Sequence, residues 1–172
     1  MFLINLIKKL VYPETYNGEI YVRSLRERHN IDIGEHCRIW EPNHTYIDIQ
    51  RPHMLHIGDY VKIARGVTIL AHDFSRSVFT GCNYPNVGEC KFTHIGDNVF
   101  IGMNAIILMG AHIGNNSIVG AGAVVSGTYD DGVVIAGNPG KVICTVDEYY
   151  NKLVHREITA AKAYVAQWRK KI

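Results

Sequence analysis

The chain has 172 residues, 47% of them apolar, which is enough for one domain with a real core. Its 18 Lys and Arg stand against 16 Asp and Glu, and a net charge of +2 leaves no nucleic-acid footprint. Four cysteines, Cys37, Cys82, Cys90 and Cys144, form no CxxC pair, so they argue against a zinc finger and supply no disulfide framework.

Residues 1–30 are expected to form an irregular N-terminal lead, broken at Pro13 and Gly18. Within it Phe2, Leu3, Leu6, Ile7 and Leu10 would share one helix face, whose ordinary role is packing on the domain. A membrane-surface contact is the minority reading. The run is too short to span a bilayer and lacks the basic segment that precedes a signal peptide, so no integral membrane segment and a cytoplasmic location are expected.

Residues 31–143 carry the dominant signal. Ile95, Ile101, Ile107, Ile113, Val119 and Val125 recur at a strict interval of six, and Ile57, Ile63 and Ile69 keep the same interval upstream. Neither a helix nor a simple alternating strand repeats every six residues, so the period predicts a hexapeptide array winding a parallel β-helix. Two residues before each aliphatic stands a small or β-branched residue such as Val61, Ala105, Ala111 or Ser117, suited to a second inward position. Cys37 falls in such a slot. Three residues after it come Gly66, Asn98, Asn104, Gly110, Asn116 and Gly122, the types that accept positive φ most cheaply. The register weakens between Trp40 and Met54, where Thr45 and Arg51 fill nominal aliphatic slots, and a shifted strand or bulge is expected there.

An excursion at 73–92 interrupts the array, and residues 144–172 follow it as a C-terminal helix. Thr145 and Glu148 have the spacing of a capping box, and Tyr149, Leu153, Val154, Ile158, Tyr164, Val165 and Trp168 follow at helical intervals. The basic ends, Lys8 and Lys9 and then Arg169, Lys170 and Lys171, read as solvated charge. The expected fold is therefore a single all-β-dominated domain: a parallel β-helix with a protruding loop and a C-terminal α-helix.

Known hexapeptide helices take three hexads per turn, so equivalent residues of successive turns stack at about 4.8 Å. With the excursion set aside, the outward slots then form columns: His56, His94 and His112 on one face, Lys62, Phe100 and Ile118 on the second, Thr68, Ile106 and Val124 on the third. Two partly apolar columns need a cover, either the C-terminal helix or another subunit, and a homo-oligomer is expected. His72 occupies the turn slot where regular coils use Gly or Asn. Such departures tend to mark function. His36 and Tyr60 also fill that slot, so turn chemistry alone does not decide whether His72 is catalytic.

The segments Ile95-Gly-Asp-Asn-Val-Phe-Ile-Gly, Ile118-Val-Gly-Ala-Gly-Ala-Val-Val125 and Ala136-Gly-Asn-Pro-Gly-Lys-Val-Ile143 resemble the left-handed β-helix, hexapeptide-repeat acyltransferases, above all the sugar O-acetyltransferases of the maltose, galactoside, nodulation and capsular-polysaccharide groups. The resemblance covers about residues 31–143. It implies that the β-helix is left-handed, that the protein is a homotrimer with acetyl-CoA in the groove between neighbouring β-helices, and that transfer goes directly to a hydroxyl of a sugar or surface-polysaccharide precursor without an acyl-enzyme. The histidine before the protruding loop is the family's general base, a position matched by His72 in Ile69-Leu-Ala-His-Asp-Phe74. Positions that contact the donor fall near Met103, Ala121, Ser126, Gly127 and Lys141. At Met103 the family commonly has serine, so an oxyanion donor there would be a backbone N–H. Gly140 stands where Ala is more usual. Acceptor candidates are Asn43, near the family's acceptor-binding asparagine, and Asp73 and Tyr84 with Arg76 and Phe79 on the excursion.

Three other readings compete. The γ-class carbonic anhydrases share the coil and bind zinc through three histidines; the column His56, His94 and His112 keeps that reading open, but the His-x4-His spacing is absent, so no metal is expected. An amino-sugar acceptor would make the enzyme an N-acetyltransferase. A non-catalytic scaffold would need neither His72 nor the closing Gly-Asn-Pro.

Overall fold

The computed structural model describes residues 17–85 and 90–169. The apolar run from Phe2 to Leu10 and the final Lys170 and Lys171 lie outside the described residues, as do the side chains of Arg76, Val165 and Trp168.

Short strands, mostly of two residues, follow one another around a three-sided coil. The first coil is β1 (Asp32–Ile33), β2 (Arg38–Ile39) and β3 (Tyr46–Ile47). The second is β4 (Leu55–Ile57), β5 (Lys62–Ile63) and β6 (Thr68–Ile69), and the third is β7 (Thr93–Ile95), β8 (Phe100–Ile101) and β9 (Ile106–Ile107). The fourth is β10 (His112–Ile113), β11 (Ile118–Val119) and β12 (Val124–Val125); β13 (Thr128–Tyr129) and β14 (Val133–Ala136) begin a fifth. Strands of successive coils pair in parallel into sheet A (β1-β4-β7-β10-β13), sheet B (β2-β5-β8-β11-β14) and sheet C (β3-β6-β9-β12). β15 (Lys141–Thr145) turns back antiparallel on β14 and closes the end of sheet B. This is the parallel β-helix that the six-residue period predicts, of the left-handed kind that the resemblance implies.

The core is the stack of aliphatics. Ile57, Ile63, Ile69, Ile95, Ile101, Ile107 and Ile113 are all 0% exposed, and burying such a side chain stabilises the fold by roughly 1.5–3 kcal/mol. Strands this short hold only because each coil's neighbours complete its hydrogen bonds. Where the chain leaves sheet A, the carboxylate or amide after each glycine reaches back one coil: Asp97 Oδ1 accepts from Asp59 N–H at 2.7 Å and Asn115 Oδ1 from Asp97 N–H at 2.7 Å. A Cβ on Gly58 would stand 2.3 Å from Asp97 Oδ1, which explains the glycine that follows the aliphatic. Asn98, Asn104 and Asn116, and with them His36 and Tyr60, take positive φ at the turns, whereas His72 does not.

The weak register between β2 and β4 has a specific cause. Short 3₁₀ turns at Pro42–His44 and Pro52–Met54 add residues at two corners, so Ile47 takes the aliphatic place that Thr45 nominally holds. The first coil thus spans 24 residues, Asp32 to His56, where the regular coils span 18. Cys37 is buried in the inward slot, its Sγ 3.1 Å from Gly58 O, and burial pushes its thiol pKa up.

The lead is not irregular throughout: α1 (Gly18–Glu27) precedes the coil. Asn17 caps it, accepting from Glu19 N–H at 3.0 Å, and Val22 and Leu25 bury its inner face. Gly18 is no breaker here, because a Cβ at that position would lie 1.8 Å from Ile39 O. The Asn cap ahead of apolar residues three apart was the available signal.

In the excursion, a 3₁₀ turn at Phe74–Arg76 leads into α2 (Ser77–Gly81), and Cys90 returns beside His72 in an antiparallel bridge. The chain ends in α3 (Val146–Arg169), started by a reciprocal capping box: Glu148 accepts from Thr145 N–H at 2.8 Å, and Glu148 N–H donates to Thr145 Oγ1 at 3.1 Å. Tyr150, Ile158 and Tyr164 on this helix are exposed, as is Phe100 on sheet B, so within one chain α3 leaves apolar surface bare. No helix among the described residues is long and apolar enough to cross a membrane.

Candidate active site

Sheet C has two edges, and the candidate residues divide between them. At the edge where the chain passes from sheet C to sheet A, the corner after β6 carries His72 and the corner after β3 carries Asp48. Asp48 is fully buried and its carboxylate has three partners: Gln50 N–H and Ala71 N–H, each at 3.0 Å, and His72 Nδ1. Burial raises the Asp48 pKa, but the bonds from His72, Ala71 and Gln50 outweigh it, and the net direction is down from 3.8. An ionised carboxylate only accepts hydrogen bonds, so His72 Nδ1 is the donor and Nε2 carries the free lone pair of the neutral ring. Phe74 packs edge-on against the imidazole at 4.6 Å.

Asp48 is not legible from the six-residue count, because the turns at Pro42–His44 and Pro52–Met54 on either side break the register around it. Its signal was a carboxylate directly after an inward aliphatic, Ile47, in an irregular coil. The structure places it beside His72 because β3 and β6 are register partners, Ile47 opposite Ile69.

Ser126 and Gly127 lie on the same edge as His72, two coils further on. The Tyr129 hydroxyl lies 2.9 Å from Ser126 O and 3.0 Å from Gly140 O, tying this corner to the closing turn. Met103, Ala121 and Lys141 lie on the opposite edge, between sheets B and C. There Met103 O accepts from Gly122 N–H at 2.8 Å, a Cβ on Gly102 would stand 2.6 Å from Ala121 N, and Lys141 pairs with Ala136. Asn43 is also on that edge, in the Pro42–His44 turn, with its Oδ1 3.1 Å from His44 Nδ1. Five extended residues separate the edges by about 16 Å, so a single chain does not bring Asn43, Met103, Ala121 or Lys141 to His72. On the excursion, Asp73 caps the 3₁₀ turn by accepting from Ser75 N–H at 2.8 Å, and Tyr84 is exposed with its ring edge-on to Phe79 at 6.3 Å.

The outward histidine column is real. His56 stacks on His94 at 4.7 Å and His94 on His112 at 4.3 Å, nearly parallel, and Asp32 lies 2.7 Å from His56 Nδ1. Zinc–nitrogen bonds of about 2.0–2.1 Å cannot draw three rings so spaced onto one ion. Among the described residues no group of three or more His, Cys, Asp or Glu side chains is arranged to hold a metal.

The chain is similar to several known proteins. Residues 92–127 match the family model described as bacterial transferase hexapeptide (six repeats). The protein CapG of Staphylococcus aureus is 38% identical over 124 residues, covering 72% of this chain and 71% of that protein. A putative acetyltransferase of Bacillus subtilis, YvoF, is 34% identical over 106 residues, or 62% of this chain and 56% of its own. Among solved structures, a hexapeptide-repeat acetyltransferase of Vibrio cholerae superposes with a TM-score of 0.55 at 27% identity, covering 67% of this chain and 62% of that one. The same Vibrio protein is also known in complex with acetyl-CoA.

Proposed function

The chain belongs to the hexapeptide-repeat acyltransferases, and on that premise we propose that it moves an acetyl group from acetyl-CoA to a hydroxyl of a sugar or surface-polysaccharide precursor, with His72 as general base. The observation that carries this reading is the imidazole of His72 at the root of the excursion, fixed through Nδ1 by the buried Asp48 so that Nε2 is the ring nitrogen left to accept a proton.

Nε2 takes the acceptor's hydroxyl proton as its oxygen attacks the thioester carbonyl. The tetrahedral intermediate collapses with loss of the CoA thiolate, which takes the proton back from the imidazolium, so the ring ends as it began. Asp48 holds the reacting tautomer and faces the transient positive charge. A backbone N–H near Met103 or Ala121 meets the developing oxyanion. The division of the candidates between the two edges of sheet C supports a homotrimer, in which one subunit's edge bearing Met103, Ala121 and Lys141 faces the next subunit's His72. Asn43 then approaches the acceptor from the neighbour, while Asp73 and Tyr84 reach it from the excursion. Lys141 offers charge to a CoA phosphate, and Ser126 and Gly127 line the same donor groove.

The test is acceptor-dependent release of CoA thiol across a panel of free and nucleotide-linked sugars. His72→Ala is expected to lose about 10²- to 10⁴-fold, and a variant within a few-fold of wild type removes His72 from the reaction. Release that never exceeds background with any sugar removes the sugar. An ester product, cleaved by hydroxylamine, distinguishes O-acetylation from the amide of an N-acetyltransferase.

A further inference from the structure

On the sheet A side of the His72 edge lies a cleft of about 400 Å³, within the range of small-ligand sites, lined by Arg26, Asn30, Asp32, Pro52, His53 and Phe92 together with the buried Ile31 and Leu55. Its position is fixed by the candidate catalytic pair. From Asp48 the chain needs only Ile49, Gln50 and Arg51 to reach Pro52 and His53. From the bridge between His72 and Cys90 it needs only Lys91 to reach Phe92, about 7 Å of extended chain. The cleft belongs to the first two coils and the root of the third. The donor candidates Met103, Ala121, Ser126, Gly127 and Lys141 all follow Phe92 in the third coil or beyond, whereas the rest of the cleft reaches from His72 toward the first coil.

The chemistry of its walls narrows the ligand. Phe92 is 51% exposed and offers an apolar ring beside the His94 imidazole, 6.4 Å away. Arg26 is already paired with Glu35 at 2.9 Å and bonded to Ile33 O and Gly34 O, and the Asp32 carboxylate accepts a hydrogen bond from His56 Nδ1 at 2.7 Å. The Asn30 amide and the His53 ring are exposed and supply donors and acceptors. An aromatic ring for the C–H face of a pyranose, with a carboxylate and neutral polar groups around it and the one guanidinium already engaged, suits hydroxyl-rich rings better than a carboxylate or phosphate.

We propose that this cleft is an outer acceptor subsite for a neutral oligosaccharide: one ring presents its hydroxyl to His72, and the next ring lies on Phe92 between Asn30 and His53. The inference rests on the reading that the acceptor is a sugar, and its test is direct binding without acetyl donor, so it is decided separately from catalysis.

Calorimetry on the full-length protein compares glucose with maltotriose and N-acetylglucosamine with chitotriose. At least one trisaccharide is expected to bind about tenfold tighter than its own monosaccharide, the scale of one added aromatic contact. In Phe92→Ala and His53→Ala, both at exposed positions, that ratio is expected to fall to near one while the thermal midpoint stays within a few degrees of wild type. Trisaccharides that bind no better than their monomers, or a preference that survives both substitutions, overturns the proposal.

Discussion

Replacing Asp48 by Asn keeps the shape of the side chain and removes its charge, which makes it the sharpest probe of the candidate site. The carboxylate takes Gln50 N–H on Oδ1, and Ala71 N–H and His72 Nδ1 on Oδ2. An amide has one acceptor oxygen. If that oxygen keeps the Oδ2 place, Gln50 N–H faces an NH₂ group and His72 loses its charged partner. If it takes the Oδ1 place, the NH₂ forces Nδ1 to accept and moves the ring proton to Nε2, where the base must be free. Exchanging a charge-assisted hydrogen bond for a neutral one forfeits about 1–1.5 kcal/mol, or about tenfold in rate. The wrong tautomer deepens the loss, so kcat should fall on the order of 10- to 100-fold with little change in the KM for acetyl-CoA. One mispaired N–H costs about 1–3 kcal/mol, and a chain of this size loses roughly 2–4 °C of Tm per kcal/mol. The assay is thiol release at saturating acceptor, paired with thermal unfolding. A kcat within twofold of wild type, or a loss carried entirely by KM, refutes the role assigned to Asp48.

Three further outcomes follow from other parts of the fold. Ile101→Ala removes a fully buried aliphatic from the centre of the stack and should destabilise by about 2–5 kcal/mol, read as the urea midpoint. Gly102→Ala places a Cβ 2.6 Å from the Ala121 backbone N, so its Tm should fall, whereas Gly122→Asn, at a φ of +69° with nothing nearby, should leave Tm almost unchanged; equal effects would show that the close approach is not what requires Gly102. Burial, and after it His112 and His56, hold the His94 pKa below 6.5, against weaker opposing pulls from Asp97 and Asp32. The unfolded chain therefore binds a proton that the folded chain refuses as pH drops below about 6.5, so this contribution to stability is complete above that pH and lost below it. Tm measured across pH 7.5 to 5 should fall, and His94→Gln should flatten the slope; an unchanged slope assigns the effect to other groups.

The histidine column shows how register makes sequence legible. With the excursion set aside, a count of six puts His56, His94 and His112 in one line, and the strands pair His56 with His94 and His94 with His112. The same count failed where corners gained residues. Asp48 fell out of every slot, and its partnership with His72 became visible only when β3 and β6 were paired. α1 is hard to read for another reason: ten residues with one short apolar face signal weakly against a breaker such as Gly18, and the close approach to Ile39 that requires glycine there is a tertiary contact.

What the sequence determined by itself was the winding: a six-residue period of buried aliphatics, with turn residues that tolerate positive φ, is a local rule repeated until only one coil satisfies it. The tertiary structure decided which corners share an edge. A strand of two residues carries no record of its neighbour one coil away, so the pairing of His72 with Asp48, the separation of Met103, Ala121 and Lys141 from them across sheet C, and the cleft beside Phe92 all depend on how many residues each corner inserts before the next strand begins.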